Sequence, residues 1–186
     1  MSIRLTPMDT QDRAGRFVCM KEIPLTQGRI AIVDDEDYEA LAKHKWWFRN
    51  VKSEFRKGYA CRSVRLPGKK MIVMMHRQIM GLGWDTSIQV DHIDGNGLNN
   101  SRSTNLRICN NSQNHMNQRP LKNNTSGYSG VSFDRRSGRY VVYLNVNRKR
   151  FRGRSFKTFE EAKAVRIGME IEYFGEFRRK PVENIS

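Results

Sequence analysis

The sequence predicts an α+β protein built from two modules that follow one another along the chain. Short strand-like segments separated by glycine turns dominate the first 118 residues, and they lead into a β-hairpin followed by a helix. After a polar stretch, three more strand-like segments precede one helix, which predicts a three-stranded antiparallel sheet packed on that helix. The length of 186 residues accommodates one medium domain or two small ones.

The module boundaries follow from changes in composition along the chain. The first 20 residues carry mixed charge without periodicity, which predicts a frayed lead-in. A run rich in Asn and Thr predicts the linker between the modules. The expected segments are the lead-in at 1–20, a first module at 21–118 with its core motif at 76–118, the linker at 119–126, a second module at 127–180 and a tail at 181–186.

The first module begins with strands and a short helix. Residues 23–33 predict two strands around a glycine turn, and the acidic run at 34–37 predicts the capped start of a helix that reaches Lys45. Acidic side chains stabilise that end of a helix dipole, and we prefer this interpretation to a metal cluster. The Trp and Met residues that follow favour a core position over a base-stacking surface. Further strands are predicted at 46–48 and 58–64 and a tight turn at 67–70, after which 71–75 leads into a short helix at 76–81.

The second module predicts three strands and one helix. Thr158 and Glu161 form a capping-box pattern, in which each side chain satisfies a free amide at the helix start. The helix is expected to run to about Phe174 and to end at Gly175. The strands are expected at 130–134, 139–147 and 149–156.

The charge of the chain predicts an anionic partner. Lys and Arg number 34 against 19 Asp and Glu, a surplus that attracts polyanions and makes their binding salt-sensitive. An anionic membrane is the competing partner. Against it, the sequence shows no long apolar run, no basic amphipathic helix, no lipidation signal and no apolar signal-peptide core. We therefore expect an intracellular protein without a membrane partner.

The number and spacing of the cysteines argue against a zinc site and against disulfides. Cys19, Cys61 and Cys109 are widely spaced and odd in number, which suits neither a disulfide framework nor a structural zinc site. We expect all three to be reduced and packed. Any metal site is then expected to use hard, oxygen-ligated ions.

One stretch of the first module gathers groups suited to phosphodiester hydrolysis, which needs an activated water and a cation that neutralises phosphate charge. Asp91 and Asn114 offer oxygen ligands acceptable to Mg²⁺ or Mn²⁺, and His92 titrates in the range of a general base. Because neighbours in a strand face opposite sides, a bend or strand end is needed for both Asp91 and His92 to serve. Asn105, on the second strand, is expected to fix the loop that carries His92.

These residues resemble the ββα-metal motif of HNH endonucleases, most closely the phage and intron-encoded homing enzymes, over roughly residues 21–118. The resemblance implies Asp91 as metal-binding acid, His92 as general base, Asn105 as the brace of the loop and Asn114 as the second metal ligand. Asn in place of the His that other members carry at that last position favours Mg²⁺ or Mn²⁺. The resemblance is carried by Asp91-His92-Ile93-Asp94-Gly95-Asn96, Asn99-Asn100, Asn105-Leu106-Arg107 and Gln113-Asn114.

The second module carries a run of alternating arginines. In a strand, Arg148, Arg150, Arg152 and Arg154 would line one face, where they could meet phosphates or guanine edges in a major groove. A merely solvated strand face is the alternative, but such a face usually carries mixed charge. Between residues 119 and 180, Lys and Arg outnumber Asp and Glu by 16 to 6.

Residues 126–133, 138–140 and 156–162 resemble the AP2 DNA-binding domain, known from plant transcription factors and phage HNH enzymes. The resemblance implies a sheet that lies in the major groove of double-stranded DNA. Ser129 and Ser132 stand where that family usually carries arginines. The expected DNA-binding residues are Arg135, Arg136, Arg139, Asn145, Arg148, Arg150, Arg152 and Arg154.

Together these patterns predict a metal-dependent endonuclease that acts on double-stranded DNA and resembles homing enzymes. One active site cuts one strand, so nicking is the simplest expectation for a monomer, and the oligomeric state stays open. A non-catalytic, sequence-specific DNA-binding regulator is the main alternative. An RNA-binding protein is a third, disfavoured because few aromatics in the arginine-rich sheet look exposed for stacking.

Overall fold

The computed structural model is a mixed α+β protein with small antiparallel sheets, which confirms the predicted class. The chain divides into two compact units, Met1–Asn110 and Asn111–Ser186, and each is described by itself. The expected linker at 119–126 lies almost wholly outside the described residues. The structure describes residues 8–51, 58–117, 124, 126–146 and 149–179.

The first unit contains two three-stranded sheets and a hairpin among its described residues. Its strands are β1 (Met8–Gln11), β2 (Phe17–Pro24), β3 (Ile30–Asp34), β4 (Trp47–Arg49), β5 (Tyr59–Leu66), β6 (Lys69–Met74), β7 (Gln89–His92) and β8 (Leu106–Cys109). Its helices are α1 (Asp35–Ala42) and α2 (Met75–Ile79). Antiparallel pairing gives the orders β1-β2-β3 and β4-β5-β6 and the hairpin β7-β8.

Strands β1 and β2 stand where the sequence predicted a frayed lead-in, and that prediction is wrong from residue 8 onward. The turn between them is held by Asp12, whose Oδ1 accepts hydrogen bonds from the backbone amides of Ala14 and Arg16 at 2.8 and 2.9 Å. Phe17 at the start of β2 is exposed. The hairpin therefore lacks the apolar alternation by which a strand is recognised in a sequence.

The core of the first unit draws side chains from both sheets, both helices and the β7–β8 hairpin. Trp46 and Met75 belong to it, so the prediction that the Trp and Met residues pack in the core is confirmed for these two. Trp46 also donates through Nε1 to the carbonyl oxygen of Leu41 at 2.8 Å, which satisfies its one polar atom. The buried members are Ile23, Leu25, Ala31, Val33, Leu41, Trp46, Phe48, Ala60, Met75, Ile79 and Leu106.

The acidic run at 34–37 opens α1, as predicted, but Asp34 does not cap it. Asp34 occupies the N-cap position without a capping hydrogen bond from its side chain. Its Oδ2 instead accepts from the backbone amide of Ser103 at 2.8 Å, and Asp37 forms an ion pair with Arg102. The acidic run therefore holds the loop that precedes β8.

Strands β5 and β6 extend beyond the three-stranded part of their sheet. β4 pairs only with residues 59–61 of β5. The ladder between β5 and β6 continues past that point for five pairs, from Arg62 with Val73 to Leu66 with Lys69. No other described strand pairs with this two-stranded ribbon.

The second unit contains a short helix, a three-stranded sheet and a long helix, and its strands lie close to their predicted bounds. The sheet has the order β11-β10-β9 and packs on α4 through Val131, Val142 and Ala162. The capping box of Thr158 and Glu161 is confirmed at the start of α4. The elements are α3 (Asn111–Met116), β9 (Val131–Asp134), β10 (Arg139–Val146), β11 (Lys149–Phe156) and α4 (Phe159–Phe174).

A β-bulge interrupts the pairing of β10 with β11. Tyr143 pairs with Arg152, whereas Val141 pairs with Ser155. Between these two pairs β11 therefore contains one residue more than β10. Gly153 lies at this point, where a Cβ atom would come within 3.2 Å of the Val142 side chain. Arg152 and Ser155 therefore share a face, and the expectation that Arg154 lines the same face as Arg152 is wrong.

The cysteines differ in their surroundings. Cys61 and Cys109 are buried free thiols, as expected, and burial raises the pKa of each to about 11. Cys19 is exposed, so the expectation that all three are packed is wrong for this residue. Its strand, β2, turns that side chain toward solvent.

Candidate functional site

The β7–β8 hairpin carries the two central residues of the candidate site. Asp91 pairs across the hairpin with Arg107, and His92 pairs with Leu106. Both Asp91 and His92 are only 6% exposed. His92 is the last residue of β7, and the amide of Gly95 donates to its carbonyl oxygen at 2.8 Å to form a turn. This is the strand end that the two neighbours need in order to serve one site.

The side-chain amide of Asn100 faces the ring of His92 and favours the tautomer with its proton on Nε2. The Nε2 atom of His92 lies 3.5 Å from Oδ1 of Asn100. Nδ2 of Asn100 donates to the carbonyl oxygen of Leu98 at 3.1 Å, so the amide presents its oxygen to His92. With the hydrogen on Nε2, the lone pair lies on Nδ1. The sequence included Asn100 in the motif but gave it no role.

The environment of His92 favours its neutral form. Burial lowers the pKa of His92, while the contact with Asn100 and the charges of Asp94 and Asp91 act in the opposite direction. Because the lowering dominates, burial favours the neutral form of the ring. A neutral imidazole is the form that accepts a proton from water.

Three rings, Tyr59, His76 and His92, form a contact group that we call the ring cluster. The centroids of His76 and His92 are 5.0 Å apart with their planes at 85°, and Tyr59 lies 5.4 Å from His76 and 5.9 Å from His92. Burial first, then the charges of His92 and Arg77, lower the pKa of His76 to about 3. The sequence did not link Tyr59 to the site, because it comes from β5, distant along the chain.

The motif loop after β7 packs tightly against the start of β5. A Cβ atom on Gly97 would lie 2.2 Å from the carbonyl oxygen of Gly58 and 2.7 Å from the ring of Tyr59. Gly58 itself has φ +85°, a conformation that favours glycine. Two glycines therefore allow the loop to come within backbone contact of the ring cluster.

Asn105 ties that loop to the strand that follows. Its Oδ1 accepts from the amide of Asp94 at 3.0 Å, and its Nδ2 donates to the carbonyl oxygen of Asn99 at 2.7 Å. Its own carbonyl oxygen accepts from the amide of Ile93 at 3.0 Å. Asn105 lies directly before β8, not within it as expected. One side chain thus spans the loop at both ends.

Strand β3 holds the far side of the same loop. The amide of Ile32 donates to the carbonyl oxygen of Leu98 at 2.9 Å, and the amide of Asn100 donates to the carbonyl oxygen of Ile32 at 2.7 Å. These two bonds place Asn100, which is fully buried, beside His92. The N-terminal strands therefore position a residue of the candidate site.

Asp91 is held by a buried arginine. Nε and Nη2 of Arg107 donate to Oδ2 of Asp91 at 2.9 and 2.6 Å. A carboxylate oxygen is a hard donor of the kind that suits Mg²⁺, an ion that keeps several waters and needs few protein ligands. Asn114, the second predicted ligand, belongs to α3 in the second unit. Within the described residues, no three His, Cys, Asp or Glu side chains gather to hold a metal.

The sheet of the second unit turns an arginine-bearing face away from α4. Tyr143 and Asn145 of β10 pair with Arg152 and Arg150 of β11, and alternation puts all four on the face opposite Val142. The guanidinium of Arg150 lies 4.5 Å from the ring centroid of Tyr143, a cation–π contact. The sequence did not indicate a role for Tyr143, whose ring packs against the guanidinium of Arg150.

The other predicted DNA contacts are more scattered. Arg135 and Arg136 lie in the exposed turn after β9, and Arg139 opens β10 opposite Asp134. Nε of Arg139 is buried without a hydrogen-bond partner in the described structure. Arg148 lies outside the described residues.

Comparisons with known proteins add no family to this geometry. No protein-family model, no curated protein and no solved structure matches the chain. In the parts of the chain that are described, no helix is both long and apolar enough to cross a membrane.

Proposed function

We propose that the protein is a metal-dependent endonuclease of the HNH type that hydrolyses phosphodiester bonds in double-stranded DNA within a cell. The observation that carries the proposal is the environment of His92. It is a buried imidazole whose Nε2 faces Oδ1 of Asn100 and which follows Asp91 in β7, and its burial lowers its pKa, which favours the neutral form. A general base needs this combination of protonation state and tautomer.

In the proposed reaction, Nδ1 of His92 takes a proton from a water molecule as the water oxygen bonds to phosphorus. The bond from phosphorus to the 3′ oxygen breaks, and that oxygen takes a proton from solvent to leave as a hydroxyl group. Asn105 keeps the loop beside His92 in place through its bonds to Asp94 and Asn99. A hard divalent ion, Mg²⁺ or Mn²⁺, with Asp91 and Asn114 as its expected ligands, would supply charge neutralisation at the phosphate.

DNA binding in this proposal belongs to the arginine-bearing sheet of the second unit. Arg150 and Arg152 are exposed, and Asn145, which pairs with Arg150, offers both a donor and an acceptor to base edges. A β-sheet face of this kind fits the width of a major groove. A single nuclease site would nick one strand, and a double-strand cut would need two copies or two events.

A non-catalytic DNA-binding regulator remains the second candidate function. The ion pair between Asp91 and Arg107 favours it, because the carboxylate already has a cationic partner. In that case the hairpin would serve as a scaffold and the sheet alone would carry the function.

The test is incubation of supercoiled plasmid with the protein in Mg²⁺, in Mn²⁺ and in EDTA. We expect metal-dependent nicking that His92→Ala abolishes and that His44→Ala, a change at an exposed histidine of the same unit, leaves intact. DNA binding by His92→Ala is expected to match that of the unaltered protein. Salt-sensitive binding without cutting of any DNA tested, phage genomic DNA included, would favour the regulator.

A further inference from the structure

The turn between β1 and β2 brings Arg13 to the hairpin of the candidate site. Nη2 of Arg13 donates to the carbonyl oxygen of Leu106 at 2.6 Å, although the two residues lie 93 positions apart in the chain. Leu106 pairs with His92 across the β7–β8 hairpin. A segment that the sequence predicted to be a frayed lead-in therefore places a cation beside the candidate site, and the proposed reaction gives that cation no role.

The carbonyl oxygen that Arg13 contacts points out of the hairpin. In an antiparallel ladder, pairs that exchange backbone hydrogen bonds alternate with pairs that do not. The amide of Ile93 donates to the carbonyl oxygen of Asn105 at 3.0 Å, as in a hydrogen-bonded pair. The next pair, His92 with Leu106, is therefore of the other kind, whose Cα atoms are about 4.5 Å apart. The guanidinium of Arg13 thus lies at the outer edge of β8, on the order of 10 Å from the backbone of His92.

The acidic residue of the same turn is committed to a different arginine. Oδ2 of Asp12 accepts from Nε of Arg16 at 2.8 Å, and the two side chains form an ion pair. Among the described residues no carboxylate pairs with Arg13, and its bond to Leu106 uses one of the several N–H donors of the guanidinium. Because Arg13 is exposed, the remaining donors are accessible to an anionic ligand.

We propose that Arg13 binds a DNA phosphate within about three nucleotides of the bond that is cut, an inference that rests on the proposed endonuclease function. The range follows from the position of the guanidinium, since successive nucleotides of one strand rise by about 3.4 Å. A guanidinium presents parallel N–H donors that match two phosphate oxygens, and such a charge-assisted pair is stronger than a neutral hydrogen bond. The bond to Leu106 holds the guanidinium at the edge of β8 before DNA binds.

The first test compares Arg13→Gln with Arg16→Gln, which removes the same charge from the same turn. A phosphate beside the cut keeps its charge during the reaction, so a contact with it strengthens substrate and transition state equally. We therefore expect Arg13→Gln to raise KM for plasmid nicking by about tenfold with kcat unchanged, and Arg16→Gln to change neither. Arg13→Lys keeps the charge and is expected to retain most of the affinity.

The second test locates the phosphate and needs no cutting. The nick is mapped on the plasmid, and short duplexes that contain it are made with one phosphate at a time replaced by a neutral methylphosphonate. Fluorescence anisotropy in EDTA gives the Kd of each duplex. Neutralising the contacted phosphate is expected to weaken binding of the unaltered protein by about tenfold and to leave binding by Arg13→Gln unchanged. Such a non-additive pair identifies two groups that contact each other.

Equal rises in KM for Arg13→Gln and Arg16→Gln would overturn the inference, because binding would then follow net charge. Additive losses at every phosphate, with a lower kcat or melting temperature for Arg13→Gln, would also overturn it, since Arg13 would then only tie the turn to β8. A protein that cuts no DNA in any metal would contradict the proposed function. In that case the salt dependence of binding to a plain duplex still tests the phosphate contact, whose loss in Arg13→Gln reduces the slope by about 1.

Discussion

Asp91 and Arg107 are buried partners across the β7–β8 hairpin, with two hydrogen bonds converging on one carboxylate oxygen. Removal of one member leaves the other charge buried and uncompensated, which typically costs about 3–5 kcal/mol. We therefore expect Arg107→Met to lower the free energy of unfolding by about 3–5 kcal/mol. The measurement is urea denaturation followed by circular dichroism.

The control for this prediction removes both charges. Asp91→Asn combined with Arg107→Met leaves no buried ion, so the double variant is expected to recover much of the lost stability. A double variant as unstable as the single one would show that Arg107 stabilises the hairpin through contacts other than the one with the Asp91 carboxylate.

At the scale of single residues, the sequence indicated candidate site residues by their chemical type. It did not indicate residues whose role depends on long-range contacts. Asp91, His92 and Asn105 were recognised because they stand close together in one motif. The bond of Asn100 to His92 depends on β3, and the contact of Tyr59 with His92 depends on β5. Nothing local in a sequence records such long-range packing, so both roles emerged only from the fold.

At the scale of elements, the motif loop depends on close backbone contact at Gly97. A Cβ atom there would meet the carbonyl oxygen of Gly58 at 2.2 Å, and backbone cannot move aside as a side-chain end can. We expect Gly97→Ala to destabilise the protein by about 1–3 kcal/mol, the usual cost of overpacking. Gly83→Ala is the matched control, because no atom lies within 4 Å of the added carbon.

Differential scanning calorimetry compares these two variants directly. Equal melting temperatures for Gly97→Ala and Gly83→Ala would mean that the loop relaxes away from β5 at little cost. In that event the contact between the loop and Tyr59 would not be needed to hold the ring cluster.

Helix α4 depends on its capping box. Oγ1 of Thr158 accepts from the amide of Glu161 at 3.2 Å, and Oε2 of Glu161 accepts from the amide of Thr158 at 3.2 Å. Thr158→Ala is expected to cost about 1 kcal/mol, whereas Thr158→Ser keeps the hydroxyl and most of the stability. Chemical denaturation of both variants checks this, and identical losses would assign the effect to the threonine methyl group.

The elements of the second unit were more predictable than those of the first. Strong turn signals and the Thr158–Glu161 pattern delimit β9, β10, β11 and α4. The bulge at Gly153 was missed, because a glycine in a strand does not reveal whether the pairing register shifts there. That one extra residue moved Arg154 out of phase with Arg152.

For the molecule as a whole, net charge predicts how binding responds to salt. Each phosphate contact contributes a slope of roughly 0.9 to the fall of log K with log salt concentration. We expect Arg150→Gln with Arg152→Gln to reduce the slope for duplex DNA by about 2. Fluorescence anisotropy titrations at several salt concentrations measure it.

Lys43→Gln with Lys45→Gln makes the same change of net charge at exposed positions of the first unit. If this pair lowers the slope as much as the arginine pair does, binding follows overall charge and not the sheet face. The α+β class could be inferred from the sequence pattern, since it sums over many residues, whereas the anionic partner inferred from composition stays a prediction. The division of the chain after Asn110 could not be predicted from the sequence, because compact units are defined by long-range contacts and not by composition.

The ribbon formed by β5 and β6 beyond β4 gives the first unit an element of low local stability. Two strands without a third are marginally stable in water, so we expect the four outer pairs, from Ser63 with Ile72 to Leu66 with Lys69, to open without global unfolding. We therefore expect their amide hydrogens to exchange with deuterated solvent through local fraying. The amide hydrogens of β5 beside β4 are expected to exchange more slowly, through global unfolding. Arg65 and Lys70, paired across this ribbon, therefore lie on an element that we expect to be flexible, whereas His92 lies in a buried part of the first unit.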